Sequence, residues 1–218
     1  GVLNPAQIEE VQRLLADAPF QDGKYSAGKE ARIVKHNEEM VQEHERYARL
    51  NEIVMRALVN HPRFQQAALP LRVASPFYAR YRPGMTYGDH VDDPIMGPMT
   101  GRYRTDVSTT VFLNAPEDYE GGELVIRTSY GETRFKGEAG SAVVYPSHSL
   151  HRVAPVQSGE RLVAVTWTQS LVRDAARREL LFELSEAREA LLDRAPTDPA
   201  TARVSRCYVN LLRMWAEL

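Results

Sequence analysis

Between Leu71 and Thr168 the chain alternates short β-prone runs with turn residues, and helical patterns flank that block on both sides. The runs are 71–82, 106–114, 123–128, 133–136, 141–145 and 161–168, with turns marked by Gly121-Gly122 and Tyr130-Gly131. Several short strands at such spacing predict an antiparallel sandwich or jelly roll. The mouth of such a barrel is a natural place for a ligand or a metal ion.

The flanking patterns read as helices. Asn4-Pro5-Ala6-Gln7 has the cap, the first-turn proline and the capping-box glutamine of a helix start. Ile8, Val11, Leu14 and Leu15 continue it as an apolar stripe that Pro19 ends. Residues 20–37 look irregular or partly extended. A second helix is predicted from about Glu38 to Val59, with Met40, Val41, His44, Tyr47, Leu50, Val54 and Leu58 near one side, broken at His61-Pro62. After Ser170, Leu171, Ala175, Leu180, Leu181 and Leu184 sit on a helix running to about Leu192. Pro196-Thr197-Asp198-Pro199 breaks it and caps a last one, whose Val204, Tyr208, Leu211 and Trp215 share a face. The organisation expected is a first unit, 1–170, comprising N-terminal helices and β core, and a helical appendage, 171–218, that binds substrate or forms a homodimer.

Composition excludes several classes. A net charge of −2 gives no electrostatic case for nucleic acid or an anionic membrane. No apolar run approaches a membrane span, and the N-terminal residues lack a signal peptide's basic and apolar regions. Cys207 is the single cysteine, which rules out an internal disulfide and fits the reducing cytoplasm, the compartment expected here.

Chemistry concentrates in two places. In His90-Val91-Asp92 the outer residues share one side of an extended chain, so an imidazole nitrogen and a carboxylate oxygen can reach one ion. His148 and His151 both offer a third ligand from a neighbouring strand. Two histidines and one carboxylate with open positions suit Fe(II) oxygen chemistry, and catalytic zinc can use the same set. A zinc hydrolase would also need a general base, and no H-E-x-x-H helix is present. His36, His44 and His61 read as surface or packing residues, and Asp93 as solvated or capping the turn before Pro94. The second place is Arg161. In an extended 161–168 it shares a face with Val163, Val165 and Trp167, and a cation on such a face needs an anionic partner, which a guanidinium binds through two parallel hydrogen bonds.

At these residues the chain resembles the PKHD-type Fe(II)/2-oxoglutarate-dependent hydroxylases, the bacterial branch of the prolyl 4-hydroxylase-like superfamily. The resemblance is carried in order by Ala68-Leu69-Pro70-Leu71-Arg72, Arg80-Tyr81, Gly88-Asp89-His90-Val91-Asp92 and Arg104-Thr105-Asp106. It continues through Tyr119-Glu120-Gly121-Gly122-Glu123-Leu124, Tyr145-Pro146, Leu150-His151-Arg152-Val153, Pro155-Val156 and Gln169-Ser170-Leu171-Val172-Arg173-Asp174. It implies a double-stranded β-helix, or jelly roll, flanked by helices. It implies His90, Asp92 and His151 as iron ligands, which leaves His148 beside the site. Arg161 would bind the distal carboxylate of 2-oxoglutarate, where many prolyl hydroxylases use a lysine, and Tyr81 would line the co-substrate pocket. The reaction implied couples Fe(II), 2-oxoglutarate and O2, with ascorbate a candidate reductant. It hydroxylates an unactivated C–H bond of a small-molecule, amino-acid or peptidyl substrate and releases succinate and CO2. No protein acid or base is required.

Two other readings fit the residues: a zinc or manganese enzyme on a similar barrel, and a non-catalytic iron or 2-oxoglutarate sensor that binds partners through its terminal helices. The Gly-, Pro- and Met-rich loop 94–101 reads either as a substrate lid or as an ordinary exposed loop.

Overall fold

A computed structural model describes residues 1–218. Its centre is two facing antiparallel sheets. The larger has seven strands. Phe20–Asp22, Glu38–Met40, Phe77–Tyr81, Arg161–Ser170, Val107–Phe112 and Ala142–Pro146 lie side by side in that order, and Pro70–Val73 also pairs with the long strand Arg161–Ser170. The smaller has five, in the order Gly131–Phe135, Leu124–Thr128, Leu150–Val153, Thr86–His90 and Lys35–His36. This is the jelly roll the strand spacing predicts.

Alternation along the strands makes the two faces of the larger sheet different. Val111, Tyr78 and Ala164 face outward and pack under helices α1 (Pro5–Ala16) and α3 (Glu45–Val59), through Ile8, Val11, Leu15, Leu50, Ile53 and Val54. The short helix α2 (Ala31–Val34) precedes the edge strand of the smaller sheet. Full burial of a side chain such as Leu50 or Val11 contributes about 1.5–3 kcal/mol. Ala79, Tyr81, Phe112 and Val163 face inward and meet Val153 of the smaller sheet, with Val156 alongside. The site lies in this inner space.

α1 starts as its sequence indicates, with the Asn4–Gln7 capping box complete. The second helix does not begin at Glu38. Glu38–Met40 is a strand between Phe20–Asp22 and Phe77–Tyr81, and α3 starts at Glu45 with His44 as its cap. Met40 is buried in either case, so the apolar spacing could not separate the two. The run 71–82 is also two strands, parted at 74–76 because both pair with one long partner, Pro70–Val73 with its end and Phe77–Tyr81 with its start.

Helix α4 (Pro62–Ala68) follows the His61-Pro62 break. Helices α5 (Ala175–Arg194) and α6 (Pro199–Trp215) pack on one another, and α5 also packs on α4. Leu69, Val172 and Leu181 centre that contact, with Tyr208, Leu211 and Trp215 against them. Leu180 is exposed, so it leaves the apolar face expected for it. Arg178 is buried and donates to the carbonyls of Val172, Arg173 and Asp106, which ties α5 to the barrel. No helix is long and apolar enough to cross a membrane.

Candidate metal centre

His90 ends the strand Thr86–His90 and stands directly opposite His151 in Leu150–Val153. The next matched pair is Val153 with Tyr87, so one strand spends an extra residue between the pairs. This bulge, of the kind that re-aims side chains beside active sites, turns both Tyr87 and His90 inward. Their rings stack at 3.6 Å, nearly parallel at 12°. Asp92, two residues past His90, comes back to the same point. Its Oδ1 is 3.9 Å from Nε2 of His90 and 3.8 Å from Nε2 of His151. One ligand atom from each residue falls within 4.8 Å of the others.

The neighbours orient these atoms. Nδ1 of His90 faces the Gly88 carbonyl at 2.7 Å, and Nδ1 of His151 faces the Ser149 carbonyl at 2.9 Å. A carbonyl only accepts, so each Nδ1 carries the proton and each Nε2 lone pair points to the shared centre. Burial first, then the facing His151, pushes the His90 imidazole down to about 4. It is therefore neutral at pH 7 and ready to ligate. The Ser108 hydroxyl donates to Asp92 Oδ2 and lies 2.8 Å from Ser147 Oγ. Asp92 thus keeps Oδ1 free. Tyr145 stands edge-on to His151 at 5.1 Å, and burial raises its hydroxyl well above the usual phenol range.

Arg161 enters the same cavity from the opposite sheet. Between the strand of His151 and that of Arg161 the chain forms one more strand, Val156–Gly159, which pairs with Tyr119–Gly121. Arg161 is 1% exposed, yet its Nε and Nη1 have no hydrogen-bond partner and it makes no ion pair. Its guanidinium lies 5.0 Å over the Tyr81 ring, its cross-strand partner. Burial pushes the Tyr81 phenol up to about 12 while Arg161 pulls it the other way, so it stays protonated and can donate. The Tyr119 hydroxyl lies beside the guanidinium, buried and without a hydrogen bond of good geometry. An uncompensated buried cation costs several kcal/mol, and here it has donors left over. These residues fit a carboxylate.

Gly122 makes room for this arrangement. Its φ is +67°, and a Cβ there would lie 3.1 Å from both Arg161 Cδ and Tyr119 Cε2. The cavity joining the metal cluster to Arg161 has a volume of about 80 Å³. Its walls include Thr110, Leu124, Val153 and Val165, and it is narrow enough to suit a small acid. A larger groove, about 710 Å³, lies outside the barrel between α4, α5 and the strand Ala142–Pro146. Its His61, His148 and Glu179 do not converge to ligand distance. His148 is exposed on that side, so the structure brings His151 and not His148 to the cluster.

His36 is exposed, His44 and His61 cap helices, and Asp93 is exposed, as the sequence suggests. Loop 94–101 is part of a small hairpin in which Ile95–Met96 pairs with Tyr103–Arg104. Met96 reaches the cavity while Ile95 and Met99 are exposed. Sequence reasoning assigned no role to Ser108, Ser147 or Tyr119. A run of hydroxyls in a fully buried strand, Ser108-Thr109-Thr110, is the signal that points to the first.

Known proteins are similar to this chain over its whole length. A PKHD-type hydroxylase of Thioalkalivibrio sulfidiphilus is 56% identical over 217 residues, covering 100% of this chain and 97% of its own. The chain belongs to the PKHD-type hydroxylases. Residues 76–169 match the 2OG-Fe(II) oxygenase superfamily, and residues 174–217 match the PKHD-type hydroxylase C-terminal domain. Among solved structures, a prolyl-4-hydroxylase of Pseudomonas putida superposes with a TM-score of 0.52 at 21% identity, over 78% of this chain and 89% of its own. A prolyl hydroxylase of Trichoplax adhaerens, solved with a hypoxia inducible factor oxygen degradation domain peptide, gives 0.54 at 16% identity over 80% of each. These two show the fold. As a PKHD-type hydroxylase the protein is a dioxygenase that uses Fe(II), 2-oxoglutarate and O2.

The serine behind Asp92 should matter to such an enzyme. Ser108→Ala is expected to weaken Fe(II) binding roughly 10–100-fold, the usual effect of losing a group that orients a metal ligand. Titration with Fe(II) under nitrogen checks this.

Proposed function

We propose that this PKHD-type hydroxylase inserts a hydroxyl group into an unactivated C–H bond of a small-molecule, amino-acid or peptidyl substrate, with release of succinate and CO2. The observation that carries the reading is one cavity that holds both a two-His, one-carboxylate cluster and a buried arginine with unused donors.

In this reading His90 and His151 would hold Fe(II) through Nε2, and Asp92 would hold it through Oδ1. The iron, when bound, supplies the oxidising power that activates O2. Two neutral imidazoles and one carboxylate leave a dication with net positive charge, which favours an anionic co-substrate. Arg161, helped by the Tyr81 and Tyr119 hydroxyls, holds the distal carboxylate of 2-oxoglutarate and so fixes its other end toward the cluster. Leu124, Val153 and Val165 keep water from the space between. No side chain is assigned as acid or base. Val91, Ile95 and Met99 are exposed next to the metal motif, which supports a substrate with an apolar surface and a lid role for loop 94–101. The separate match at 174–217 supports treating 171–218 as an appendage to a catalytic unit at 1–170. The lone, exposed thiol of Cys207 supports a cytoplasmic setting.

A substrate screen that reads succinate release, followed by mass spectrometry, tests the reaction. The expected product is heavier by one oxygen. Desaturation or epimerisation of the substrate with succinate release would contradict the hydroxylation.

A further inference from the structure

We propose that a closed ring of charges on the outer face of the smaller sheet, Asp89–Arg127–Glu132–Arg152, positions His90 and His151 for the metal. It rests on the metal reading above and goes beyond it.

Asp89 immediately precedes His90, and Arg152 immediately follows His151. Because strand side chains alternate, the ligands point inward and these two point outward. Arg152 Nη1 lies 3.3 Å from Asp89 Oδ1, and Arg127 Nη1 lies 3.1 Å from Asp89 Oδ2. Both arginines also hold Glu132. Arg152 does so through two parallel bonds of 2.9 and 2.8 Å, and Arg127 through two bonds to one oxygen, of 3.1 Å from Nε and 2.8 Å from Nη2. Two carboxylates and two guanidiniums thus close a ring over four neighbouring strands. Isolated surface ion pairs contribute little, but a network containing a bidentate Arg–carboxylate pair is the exception.

The ring also lies where the ladder between the two histidine-bearing strands is irregular. The bulge that turns His90 and Tyr87 inward breaks the register between Thr86–His90 and Leu150–Val153, so regular ladder bonds are lost next to the ligands. Asp89 sits in the bulged segment, and the Asp89–Arg152 contact spans the gap from the other side. Slippage or twist there would move the His90 and His151 Nε2 atoms apart.

The test is Co(II) binding to wild type, Asp89→Asn and Arg152→Gln under nitrogen, by the visible absorption of the bound ion, with a thermal melt of each variant. The two substitutions change the local charge in opposite directions. A through-space effect on a cation would weaken binding in Asp89→Asn and tighten it in Arg152→Gln. Positioning predicts weaker binding in both, by about three- to tenfold, with an altered absorption envelope at temperatures where both remain folded. Opposite changes, or two dissociation constants within twofold of wild type whatever the melts show, would overturn the proposal. Absence of Co(II) binding by the wild-type protein would overturn the metal assignment, and this proposal with it.

Discussion

Arg161→Met is expected to weaken 2-oxoglutarate binding at least about thirtyfold while leaving the melting temperature of the ligand-free protein unchanged or higher. The first half follows from the loss of a buried, charge-assisted contact, which costs about 2–5 kcal/mol when one partner is truncated, at 1.4 kcal/mol per factor of ten. The second follows from the state of the free protein. Arg161 is 1% exposed, with Nε and Nη1 unpartnered. Methionine preserves much of the stem and removes a charge that nothing in the protein balances. Most binding-site substitutions cost both affinity and stability, so a split between them is informative. Calorimetric titration with 2-oxoglutarate beside a thermal melt checks it. A large loss of stability with unchanged affinity would mean that Arg161 holds the barrel together and binds no co-substrate.

His151→Ala should abolish turnover, whereas His148→Ala should retain most of it. The two histidines lie three residues apart, and the residues alone left both open as ligands. The fold separates them. Residue 151 lies in a strand, with Nδ1 held by the Ser149 carbonyl and Nε2 directed at Asp92. Residue 148 lies in the preceding turn and lines the outer groove. Losing one of three protein ligands removes the iron, and with it the oxidising power. Succinate release by the two variants, with metal content measured on the same samples, checks this. Full turnover by His151→Ala would refute the ligand assignment.

How much of this could be read from the residues depended on range. Local signals were enough for the α1 cap and for the turn at Tyr130-Gly131, which joins the paired strands Leu124–Thr128 and Gly131–Phe135. Met40 shows where they failed. It is apolar at a spacing that suits a helix, and only pairing with Phe20 across the sheet makes it a strand residue. The strands Thr86–His90 and Leu150–Val153 carry two of the three proposed ligands, yet both fell outside the β-prone runs. Their inner positions hold Tyr87, His90 and His151 in place of aliphatic residues. The site replaced the pattern that would have revealed the strands. Arg161 was visible as a cation on an apolar face. That it faces the cluster from the opposite sheet, beside Tyr119 and Gly122, required the whole topology.

The central claim is that one cavity binds Fe(II) and 2-oxoglutarate together, with the cluster at one end and Arg161 at the other. The most direct measurement is the visible absorption of the anaerobic protein titrated first with Fe(II) and then with 2-oxoglutarate. A charge-transfer band that grows only when both are present and saturates at one of each per chain is the predicted result. A band that never appears, although each binds separately, would place them apart and contradict the account.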